Sequence, residues 1–69
     1  MEKRIFVSSS HRVFMVPRDS EPGYWDFRWV SLNPQFGGRV MFEQRVDVFE
    51  AEHLVGQMEK SPNWTEEVQ

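Results

Sequence analysis

Tyr24-Trp25-Asp26-Phe27-Arg28-Trp29-Val30-Ser31-Leu32 is the stretch whose reading decides the fold. Strand periodicity puts Trp25, Phe27 and Trp29 on one face and Tyr24, Asp26 and Arg28 on the other, so the pattern states which side meets the core. A slip of one residue would turn three large rings into water, which fixes the facing more firmly than the strand ends.

Working outward, Asn33 to Gly38 reads as a connection whose Gly37 and Gly38 can take positive φ. Arg39 to Val46 then reads as a strand, with Val40, Phe42 and Val46 on one face and Arg39, Met41, Glu43 and Arg45 on the other. Asp26 and Arg28 can meet Arg45 and Glu43 across the two strands, as charge pairs worth about 0.2–1 kcal/mol each on a wetted face.

Upstream, Arg4 to Ser8 and His11 to Val16 are β-rich runs joined by Ser8-Ser9-Ser10, short enough for an antiparallel hairpin. Pro17 removes a ladder donor, and Pro22-Gly23 marks the following loop as a turn. The second run has His11, Val13 and Met15 on one side and Arg12, Phe14 and Val16 on the other. Both sides carry apolar residues, and only one helix is available to cover them, so this hairpin is expected to offer Val13 and Met15 to a partner or a second subunit.

Downstream, Asp47-Val48-Phe49-Glu50 fits a capping pattern, the Asp47 carboxylate taking an orphan amide of the first turn. Val48, Ala51, Leu54, Val55 and Met58 form one stripe at a period of 3.6, which should dock on the Trp25, Phe27 and Trp29 face. Gly56 costs a helix interior about 1 kcal/mol relative to alanine, so it is expected where a side chain does not fit or close to an early end. Ser61-Pro62 ends the helix and reads as the cap of another turn, from which Trp64 and Val68 can fold back onto the core. The fold class is thus α+β: a small antiparallel sheet of three or four strands over residues 1–46, one helix over 47–60, and a turn or tail over 61–69.

The 69 residues make one domain, of a size that buries only about 60% of its unfolded surface, which brings dimerisation into play. Three Trp, six Phe and one Tyr supply a core at low ordering cost and argue against disorder. Without cysteine, disulfides and thiolate metal sites are excluded. The first residues lack a signal-peptide pattern, and no apolar run approaches the roughly 18 residues of a membrane helix, so a cytoplasmic setting is the expectation. Charge is uneven. Residues 1–46 carry seven basic and five acidic side chains, whereas residues 47–69 carry Lys60 against six acids, an imbalance that argues against wrapping nucleic acid.

No arrangement specifies chemistry. His11 and His53 are the only histidines, and with Glu50 or Glu43 they make a metal set only by chance combination, because a catalytic zinc needs three protein ligands in a fixed geometry. Ser8, Ser9 and Ser10 beside His11 read as turn serines, because a nucleophile also needs an orienting acid and an oxyanion hole. Arg28 and Arg45 beside Asp26 and Glu43 would keep both acids ionised, which spoils the split in pKa that acid/base catalysis needs. The leading expectation is therefore a noncatalytic protein-binding module, a small adaptor, inhibitor or regulatory subunit with no cofactor, whose partner is another protein or a second copy. Beyond Val13 and Met15, its candidate contacts are Phe49 and His53, flanking a groove floored by Gly56, and Trp64 near the end. The alternative is a nucleic-acid-binding sheet face using Tyr24, Arg28, Arg39 and Arg45.

Overall fold

The computed structural model describes residues 2–67, apart from the side chain of Phe36. Four strands come first: β1 (Arg4–Val7), β2 (His11–Pro17), β3 (Tyr24–Ser31) and β4 (Val40–Asp47). A 13-residue helix, α1 (Val48–Lys60), and a two-residue strand, β5 (Thr65–Glu66), follow. All strand pairs are antiparallel, in the spatial order β4-β3-β2-β1-β5. The architecture is α+β, a five-stranded antiparallel sheet packed by one helix.

Register decides the two faces. Val13 lies opposite Trp29 and Met15 opposite Phe27, while Phe6 lies opposite Val13 and Trp25 opposite Val46. Directly opposed residues share a face. Phe6, Val13, Met15, Trp25, Phe27 and Val46 therefore form one apolar layer, onto which α1 lays Ala51, Val55 and Met58, with Leu54 and Trp29 packed at its margin. Burying a side chain of this kind stabilises the fold by about 1.5–3 kcal/mol before its ordering cost.

Asp47 caps α1: its carboxylate accepts a hydrogen bond from the Glu50 amide at 2.8 Å. The helix stripe read from the sequence is the buried one, with Val48 and Leu54 half-covered at its sides. Gly56 departs from expectation, because a Cβ built there meets nothing within 4 Å. Close approach does not require this glycine.

Three further features differ from the sequence reading. Val13 and Met15 are fully buried, with 0% exposure, so the expectation that they face a partner is corrected. Both point to the face that Trp29 and Phe27 share with the helix, leaving Arg12, Phe14 and Val16 on the open side. After Ser61 the chain adds a fifth strand rather than a second helical turn, Thr65 and Glu66 pairing with Val7 and Phe6. Trp64 reaches back to stack edge-on against Trp29 at 5.3 Å, whereas Val68 lies outside the described residues. Finally, β4 carries a bulge. Phe42 is opposite Trp29 but Val40 is opposite Val30, so Met41 is the extra residue and Val40 is matched with the open-face set instead of with Phe42.

Candidate functional site: the open edge of the sheet

The open face of the sheet is covered by arginines. Arg12 lies over the Phe14 ring at 5.2 Å and pairs with Glu67; Arg45 lies over Tyr24 at 4.6 Å and pairs with Glu21. Arg28 bonds Glu43 at 3.1 Å, as the cross-strand register expects, while Asp26 takes Arg18 at 3.2 Å instead of its opposite residue Arg45. Their aliphatic stems shield the apolar residues beneath, and their charges meet acids. Of the nucleic-acid candidates, Arg28 and Arg45 are thus engaged, Tyr24 is roofed by Arg45, and Arg39 stands exposed beyond the strand end. A stacking platform needs bare rings and unpaired cations, so this arrangement weighs against that use.

Among the described residues, Ser8, Ser10 and His11 are not joined to a third group. Ser10 Oγ lies 2.8 Å from His11 Nδ1, but the imidazole packs edge-on against Trp29, and among the described residues no carboxylate is bonded to His11. Ser8 is occupied by the turn, its hydroxyl accepting from the His11 amide at 3.1 Å. The hollow between helix and sheet, about 270 Å³, is lined by Phe27, Trp29, Leu54, Met58 and Trp64 among others and holds no ionisable side chain. No group of three or more His, Cys, Asp or Glu among the described residues is placed to hold a metal ion, and no helix among them is long and apolar enough to cross a membrane.

What remains is an edge. β4 is an outer strand of eight residues, longer than the average strand of about five or six, and every residue in it except Val46 is exposed. Val40, Met41 and Phe42 show 44%, 51% and 48% of their surface, and Leu32 from the preceding loop adds another 44%. Phe49, at the start of α1, is 78% exposed. It does not pack on the chain entering the helix, and it stands with exposed His53 on the helix flank.

The backbone of β4 is equally open. The Val48 amide donates to the carbonyl of its opposite residue Gly23 at 3.1 Å, which makes that pair a hydrogen-bonded one. Antiparallel ladders alternate, so Val46, Gln44 and Phe42 spend their amides and carbonyls on β3, while Arg45 and Glu43 direct theirs outward. β4 carries no proline, and its bulge at Met41 confines the regular open ladder to the stretch from Phe42 to Asp47.

Sequence reasoning named Phe49 and His53, both of which are exposed, but missed this edge. Val40, Met41 and Phe42 read as strand residues with a core to face, and nothing local announces that β4 lies at the edge of the sheet. No protein-family model matches the chain, and comparison with curated proteins and with solved structures finds no match either.

Proposed function

We propose that this chain is a noncatalytic protein-interaction module, a small adaptor, inhibitor or regulatory subunit, that binds through the β4 edge by accepting an extended strand. The observation that carries the reading is the coincidence, on one outer strand, of outward-directed backbone groups at Glu43 and Arg45 with the exposed side chains of Val40, Met41 and Phe42. Strand addition uses these two elements together: main-chain hydrogen bonds give affinity, and alternate side chains give selectivity. Leu32, which lines a surface hollow together with Met41, adds exposed apolar surface at one end, and Phe49, two residues past the strand, is exposed as well.

A photoreactive residue in place of Phe42 tests this, with the same residue in place of Glu52 on the exposed helix surface as the control. Adducts from position 42 and none from position 52 are the expected outcome. Equal labelling at both positions, or none at position 42, would overturn the reading.

A further inference from the structure

Charge order along β4 identifies a partner. Between its bulge at Met41 and the helix cap at Asp47 the strand reads Phe42-Glu43-Gln44-Arg45-Val46. An acid and a base stand on either side of a central glutamine. Two antiparallel copies related by a two-fold axis can place only residues of the same face opposite each other, so the axis must pass through a residue, and each choice makes a different set of pairs. With the axis at Glu43, two glutamates meet. With the axis at Arg45, two arginines meet and Glu43 faces Asp47. With the axis at Phe42, Arg45 faces Arg39 and the bulged Met41 falls at a ladder position; with the axis at Val46, Arg45 faces Asp47, whose carboxylate is already taken by the Glu50 amide, and Glu43 falls opposite the helix residue Phe49. Only the axis at Gln44 sets Glu43 of each copy opposite Arg45 of the other, with Phe42 beside Val46 and the two Gln44 side chains face to face.

That register also satisfies the backbone. Glu43 and Arg45 are the residues whose amides and carbonyls point outward, and opposed residues of this kind exchange both of their hydrogen bonds. The side chains extend an existing row, because Glu43 already pairs with Arg28 and Arg45 with Glu21 within one chain. Across the axis the row becomes Arg28, Glu43, Arg45 of the second copy, Glu21 of the second copy, alternating in sign throughout. Among the described residues the opposite edge offers less, since β5 is only two residues long and its neighbourhood is held by Arg4–Glu66 and Arg12–Glu67.

We infer that the partner of the β4 edge is a second copy of this chain, joined antiparallel about Gln44 with Glu43 facing Arg45 in both directions, to give one continuous sheet across the dimer. The inference rests on the reading of β4 as a binding edge and names its occupant.

The native chain has no cysteine, so a single introduced thiol reports the register. Under mild oxidation Gln44→Cys is expected to yield a disulfide-linked dimer, because the two positions oppose each other at close range, whereas Glu43→Cys and Phe42→Cys remain unlinked. Sedimentation equilibrium supplies the charge test. Glu43→Arg and Arg45→Glu should each weaken self-association by roughly tenfold or more, since each sets like charges opposite one another twice. An equimolar mixture of the two variants should recover the dimer, because the arginines of one then face the glutamates of the other. Circular dichroism on each variant checks that the fold is retained. Wild-type protein that stays monomeric at every concentration, linkage of Phe42→Cys in preference to Gln44→Cys, or failure of the mixture to associate would each overturn the inference. Should position 42 label a different protein while the wild type stays monomeric, the second-copy inference fails and the binding-edge reading stands. An unlabelled position 42 in a monomeric protein removes both.

Discussion

The two edges of this sheet are built on opposite plans. At one, β5 contributes two residues, and its flanks are tied down: Arg4 reaches Glu66, with Nη2 donating to Oε1 at 2.7 Å, and also Glu59 at 3.4 Å, Arg12 pairs with Glu67, and the Glu67 amide donates to the Ile5 carbonyl at 2.8 Å. At the other, β4 runs for eight residues with apolar side chains in solvent and backbone groups directed outward. A short, charge-clamped edge offers too little ladder to recruit another strand, whereas a long one without proline invites pairing. The lesson is that one sheet can hold one edge down with ion pairs and leave the other available.

The most drastic way to break the contrast is to remove what holds β1 in place. Phe6→Ala, at a position 1% exposed, should cost about 3–5 kcal/mol and leave little folded protein, read as a fall in the urea midpoint. Trp64→Ala is milder, about 2 kcal/mol, because the ring is only half-buried against Trp29; it should also speed hydrogen exchange of the Glu67 amide, since Trp64 anchors the segment that forms β5. Gly56→Ala touches neither edge and meets open space, so it should stabilise by about 0.5–1 kcal/mol and raise the melting temperature without altering self-association.

Acid sharpens the comparison with a smaller effect. The hydrogen bond from Arg4 holds the Glu66 carboxyl below its ordinary value of 4.5, and its attraction to the guanidinium adds to this, against partial desolvation. Because the folded value is depressed, the contribution is complete above the unfolded value and is lost as pH falls through the folded one. Fraying of β5 ahead of β4, followed by amide exchange in acid, is the expected order; Glu66→Gln should flatten that dependence. At the open edge itself, Phe42→Thr should cost the monomer about 0.5–1.5 kcal/mol, because the half-exposed ring packs edge-on against Phe27, while also weakening association, checked by denaturation and sedimentation on the same sample.

How far the fold was legible follows the range of the signals. Trp25, Phe27 and Trp29 declared their face through local alternation, and Asp47 with the stripe from Val48 to Met58 declared the helix, because caps and periodicities act within a few residues. The Glu43–Arg28 pair was readable for the same reason, since only a short connection separates β3 from β4. Val13 and Met15 were placed on the wrong side because β2 carries apolar residues on both faces, so alternation alone could not choose between them. Their register against β3 does choose, and Arg12 on the opposite side was the available hint. β5 had no local signal at all, since two residues hold no period and their partners lie some sixty positions away in the chain.

The sequence by itself determined the α+β class, the aromatic layer, the helix with its cap, and the charge order of Glu43, Gln44 and Arg45, because each is written in the identity and spacing of neighbouring residues. Only the tertiary structure decided that β4 and β5 are the outer strands, that Met41 is a bulge, and which backbone groups face outward. Those facts depend on which strands pair, and pairing is settled by burying one continuous apolar face beneath a single helix rather than by any short stretch of chain.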